Sequence, residues 1–158
     1  MTLSLVGKEH SSTARSYFIL SYVLHSRGDW EAAESAARAS IQIHDGLGKS
    51  DPIDSSAPRL VLGWSLSDMG RLEEAREWLG EAREVRERLL GPDHVLTLTA
   101  VSLLGQLATR RQEFEEAAKL LDSALTGFQV TLGEKHRMVY LTRGFLGELE
   151  DARAVSPR

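Results

Sequence analysis

The sequence predicts an all-α solenoid of antiparallel helix hairpins, about seven helices in all. Three observations carry that reading. Residues recur in register every 42 positions, apolar residues within each unit fall at helical spacing, and short breaks separate the helical stripes.

The period comes first. Leu20, Leu62, Leu104 and Leu146 stand 42 apart, each followed by a small residue: Ser21, Gly63, Gly105 or Gly147. Ala33, Ala75 and Ala117 share that spacing, as do Ser40, Ala82 and Ala124, and Trp30, Leu72 and Phe114. Between units, Val6-Gly-Lys-Glu-His10, Leu90-Gly-Pro-Asp-His94 and Leu132-Gly-Glu-Lys-His136 recur in phase, while Leu47-Gly-Lys-Ser-Asp-Pro52 is shifted by one residue.

Within a unit, Leu72, Ala75, Trp78, Leu79, Ala82 and Val85 make one stripe at steps of three and four. Phe114, Ala117, Leu120, Leu121, Ala124 and Phe128 repeat it. The breaks Arg27-Gly-Asp29, Met69-Gly-Arg71 and Arg110-Arg-Gln112 precede the stripes, so each unit is two helices joined by a tight turn. The pattern predicts helices near 12–27, 29–46, 55–69, 71–90, 95–110, 113–131 and 137–152. One array then occupies 1–158. Residues 1–10 are the tail of a preceding repeat and its connector, and repeats cover 12–46, 55–90 and 95–131. A terminal capping helix covers 137–152.

Small residues explain how such helices pack. Glycine in mid-helix costs about 1 kcal/mol relative to alanine, which is tolerable at Gly63 and Gly105 if a neighbouring helix comes close there. Ala75 and Ala82 supply the facing shallow surface, and Trp30, Leu72 and Phe114 fill the space beside the turn. The first unit has Ser21, Ala37 and Ser40 where its sisters have Gly, Leu and Ala, so it is expected to pack more loosely.

Composition narrows the function classes. The 158 residues include no cysteine, which excludes disulfides and thiolate metal sites. Acidic residues number 23 against 19 basic, well mixed, and no Lys/Arg run could neutralise a phosphate backbone, so nucleic acid is not an expected partner. Apolar runs are too short to span a bilayer, and the start lacks a signal peptide's basic and apolar regions. The chain reads as soluble and cytoplasmic.

At Leu62-Gly63, Leu72, Ala75, Leu79 and Ala82, and again at Leu104-Gly105, Phe114, Ala117, Leu121 and Ala124, the sequence resembles the tetratricopeptide repeat family. The 42-residue period and the Leu-Gly-x-x-His connector are similar to the longer repeats of kinesin light chains and of the arrays that end many fungal and bacterial signalling ATPases. The resemblance implies a right-handed superhelix whose first helices line a concave groove for a protein or peptide. The Asn pairs of kinesin light chains are replaced by Phe18-Ile19, Leu60-Val61 and Ser102-Leu103, and the basic clamp of chaperone-tail binders is missing.

By that resemblance the groove carries Arg15, Phe18, Tyr22 and His25 from the first unit, and Leu60, Trp64 and Ser67 from the second. Thr99, Ser102, Gln106, Thr109 and Arg110 follow from the third, and Leu141 and Glu148 from the last helix. Tyr22 and Trp64 are the expected apolar anchors, with Arg15, Gln106 and Arg110 as polar selectors. His10, His94 and His136, one per connector, read as capping or turn residues.

No HExxH motif, phosphate-binding glycine loop or nucleophile elbow is present. The chain therefore reads as a non-enzymatic interaction scaffold, with no cofactor and no metal. Two alternatives stand beside that reading. One is end-to-end self-assembly through the open ends of the array, where Glu150 suits a solvent-facing cap at the last helix. The other is a sensor segment of a longer signalling ATPase.

Overall fold

The computed structural model describes residues 3–48 and 50–156, with side chains from Ser11 onward. Among the described residues there are seven α-helices and no strand. They are α1 (Leu3–Ser26), α2 (Trp30–Gly46), α3 (Pro52–Asp68), α4 (Leu72–Leu90), α5 (Val95–Arg110), α6 (Phe114–Leu132) and α7 (Arg137–Val155). The chain divides into two compact units, Met1–Val85 and Arg86–Arg158, with the division inside α4. In the first, α1, α2 and α3 pack against one another; in the second, α5, α6 and α7 do the same.

The helix starts follow from local chemistry. Asp51 accepts a hydrogen bond from the Ile53 backbone N–H at 2.7 Å, with Pro52 in the first turn where its missing N–H costs nothing. His94 and His136 do the same work with Nδ1, accepting from Leu96 at 3.1 Å and Met138 at 3.2 Å. Both connector histidines are thus N-caps. The one-residue shift at Asp51 puts a carboxylate in that role instead. The side chain of His10 lies outside the described residues.

The turns inside the hairpins are also alike. The N–H groups of Gly28, Gly70 and Gln112 reach back to the carbonyls of His25, Ser67 and Thr109, and the next N–H in each turn closes a second bond. Those three residues have φ of 82°, 78° and 62°, the left-handed conformation that ends a helix.

One expected break is absent. The stretch Val6–His10 is helical and belongs to α1, which starts at Leu3 rather than near residue 12. The connector residues alone do not dictate a reversal, because Gly7-Lys8-Glu9 and Gly133-Glu134-Lys135 are nearly the same sequence. The later one joins α6 to α7, which pack together. That tertiary pairing bends the chain where local propensity is neutral.

Close approach at glycine sets the packing in each unit. A Cβ on Gly63 would lie 2.7 Å from Leu79 Cγ and 3.1 Å from the Ala75 carbonyl oxygen. A Cβ on Gly105 would lie 2.7 Å from Leu121 Cγ, and one on Gly127 would lie 2.6 Å from Leu98 Cδ1. Ala75, Leu79, Ala82, Ala117, Leu121, Ala124 and Phe128 are fully buried. In the second unit Leu98, Val101, Ala124, Phe128 and Val139 form one core cluster.

At its divergent positions the first unit is closed to solvent. Ser21, Ala37 and Ser40 are all fully buried. Ser21 Oγ donates to the Phe18 carbonyl at 2.7 Å, and Ser40 Oγ donates across to the Ala14 carbonyl of α1 at 2.7 Å. Arg86 is buried too, its guanidinium donating to the Leu96 carbonyl at 2.8 Å. Burial pushes its pKa down to about 10, which still leaves it charged at neutral pH.

Gly105→Ala should destabilise the protein by about 1–2 kcal/mol in urea unfolding, because the strain of an added methyl exceeds the gain in helix propensity. Gly147→Ala, where an added Cβ meets nothing within 4 Å, should instead be neutral or stabilising by up to about 1 kcal/mol. Equal effects at the two sites would show that close approach is not what keeps Gly105.

Candidate partner-binding site

In the first unit, α1 and α3 bring two of the expected groove residues, His25 and Trp64, into contact. Trp64 is half-buried and stacks on the buried ring of His25, with centroids 4.0 Å apart and planes tilted by 39°. His25 Nδ1 is 3.1 Å from Ser65 Oγ, and its Nε2 is 3.6 Å from Asp68 Oδ2. The indole is therefore held against a ring that α3 itself fixes from two sides. Tyr22 and Phe18 lie on α1, also half-buried, and Arg15 is exposed one turn earlier.

The second unit offers a polar arrangement. Gln106 Nε2 donates to both carboxylate oxygens of Glu148 on α7, at 3.2 and 3.0 Å. Ser102 Oγ is 3.0 Å from Thr142 Oγ1, again between α5 and α7. Thr99 Oγ1 and Thr109 Oγ1 bond within their own helix, to the carbonyls of Val95 and Gly105. Where α5 turns into α6, Thr109, Arg110, Gln112 and Phe114 meet Glu148 and the last turn of α7 around an open depression of about 350 Å³. That is at the small end of ligand-binding clefts.

Six of the fourteen residues expected to face a groove are buried. His25, Leu60, Ser67, Ser102, Gln106 and Thr109 are covered, because first helices of successive pairs pack side by side as well as on their own partners. His25 and Ser102 bond across that seam directly. Arg15, Phe18, Tyr22, Trp64, Thr99 and Arg110 keep accessible surface. Leu141 is half-buried and Glu148 is exposed apart from its bonds to Gln106.

Two features escaped the sequence reading. Asp68 and Ser65 fix His25, and nothing in their spacing marks them. Gln112 takes a left-handed conformation at a turn position that is glycine in both sister turns. Comparing the three turns could have singled it out, since a side chain there costs about 1 kcal/mol.

Two tetratricopeptide repeat models match the chain, one over residues 60–129 and one over residues 14–39, together more than half of it. The chain belongs to the tetratricopeptide repeat family. No curated protein matches the sequence. A solved structure, BtubC (BKLC) from P. vanneervenii, is similar in fold, with a TM-score of 0.68 at 20% identity over 98% of this chain and 68% of that one. Tetratricopeptide repeats generally mediate contacts between proteins, and the fold is typically a non-enzymatic scaffold. Among the described residues no helix is long and apolar enough to cross a membrane, and no group of three or more His, Cys, Asp or Glu could hold a metal ion.

Gln112→Gly should raise stability by about 1 kcal/mol by relieving the left-handed backbone, read as a higher urea midpoint at unchanged slope. A lower midpoint would mean that the Gln112 side chain makes contacts worth more than the strain.

Proposed function

We propose that the α1–α3 face of the first unit holds an extended or helical segment of a partner protein, with Trp64 and Tyr22 as its apolar anchors and Arg15 as a polar selector. The observation that carries this reading is the stacking of Trp64 on buried His25. A large aromatic already held in one orientation loses little freedom when a partner closes over it, which is how interface anchors contribute most. In the second unit Arg110 takes the selecting role beside the depression near the α5–α6 turn. Gln106, tied to Glu148, acts there only by positioning that carboxylate. The role is binding rather than catalysis, in keeping with the family.

The test is an immobilised peptide array probed with the wild-type chain and with Trp64→Ala/Tyr22→Ala. Circular dichroism confirms equal helicity first. Peptides retained by the wild type should lose affinity by about 30-fold or more in the double variant, the loss of roughly 2 kcal/mol expected of a hot spot. Retention of the same peptides at unchanged affinity would move the binding surface elsewhere.

A further inference from the structure

The second helix of each pair carries one side chain, near its C-terminal end, into the joint with the helix that follows. His44, Arg86 and Phe128 hold that place, one period apart. All three are buried, at 7%, 3% and 0% exposure. Phe128 lies in one apolar cluster with Val139 of α7. Arg86 donates to the Leu96 carbonyl in the first turn of α5, and with a pKa of about 10 it keeps its charge at neutral pH. His44 Nδ1 lies 2.6 Å from Ser50 Oγ, in the connector that leads to α3. Of the three side chains, the imidazole alone changes charge near neutral pH.

The slot at His44 suits a neutral ring. Burial is the largest influence and holds its pKa below the usual histidine value of 6.5. Asp54 of α3 and Asp45 of α2 favour the proton and Arg59 of α3 opposes it, and burial outweighs the two carboxylates. Both carboxylates are exposed, and Asp45 is already held by Arg59 at 2.7 Å. A lowered folded pKa has one sign. The contribution of the neutral ring is complete above about 6.5 and is lost as the pH falls toward the folded value. A protonated ring gains by turning out to water beside Asp45 and Asp54.

We propose that His44 is an acid-operated latch on the joint between the first hairpin and α3. Neutral, the ring fills its slot and holds the connector through Ser50. Protonated, it leaves the slot and releases the connector. The joint matters to function because α2 packs on α3, and α3 is one side of the α1–α3 face. Acid would therefore weaken partner binding on that face. This consequence rests on the function proposed above, whereas the latch itself is tested without any partner.

The test is hydrogen exchange of the full chain read by mass spectrometry, with rates corrected for the intrinsic effect of pH. As the pH falls from about 7 to about 5.5, opening of segment 44–55 should rise, by up to about tenfold per pH unit, the limit for one proton. His94 and His136 cap their own helices and give those connectors a separate response, so the comparison is made within 44–55. His44→Phe, which installs the side chain of the third joint, should abolish the rise there. A histidine NMR titration of the wild type decides the matter even if that variant misfolds. The His44 ring should titrate below 6.5, and the Ser50 amide should shift along the same curve. A rise that survives His44→Phe, a ring titrating at or above 6.5, or a Ser50 amide that does not follow it would overturn the proposal.

Discussion

The structure depends on helices coming closer together than a methyl group allows. Gly63 and Gly105 give up helix propensity so that Leu79 and Leu121 can lie over bare backbone. Ala75, Ala82, Ala117 and Ala124 continue the shallow surface on the facing helix. Each contact fixes the distance and the rotation of a helix pair at once, because a leucine branched at Cγ fits over a glycine in few ways. The turn beside each pair then needs only a residue that tolerates a left-handed backbone.

That tight pairing has a consequence for the exposed surface. Within each unit, as the first helix is drawn onto its partner, the other first helix comes within hydrogen-bonding distance as well, α1 with α3 through His25–Ser65 and α5 with α7 through Ser102–Thr142. Polar side chains that would otherwise line an open surface become internal ties. Of the residues expected to face a groove, those that stay accessible are mostly aromatic in the first unit (Phe18, Tyr22 and Trp64) and mostly charged or hydroxylic in the second (Thr99, Arg110 and Glu148). Partner choice in such a module rests on few side chains, and those few are held in place by residues that no partner touches.

Much of the fold was legible because the 42-residue period reports helix phase directly. The helix at 95–110 agrees residue for residue, and the others agree to within a few residues apart from the start of α1. The capping role of His94 and His136 was visible as a histidine recurring at the same connector position, shortly after Leu-Gly, in phase with the repeat. The start of α1 was not legible, since whether Val6–His10 turns depends on packing rather than on its own residues. Burial of Ser102, Gln106 and Thr109 was hidden for a related reason. Helical spacing says which residues share a face, but not how near the neighbouring first helix approaches that face. Gln112 is a third kind of case, where a turn is specified by its hydrogen bonds and tolerates a residue that local preference disfavours.

The most direct measurement is a double-mutant cycle in urea between Gly63→Ala and Leu79→Ala. If close approach sets the packing, the added methyl is harmful mainly because Leu79 occupies the same space, and removing that leucine relieves the clash. The two changes should then be non-additive by about 1 kcal/mol or more, with the double variant more stable than the sum of the single losses implies. Additivity within about 0.3–0.5 kcal/mol would contradict the account, because it would mean that Gly63 is kept for some reason other than the leucine above it.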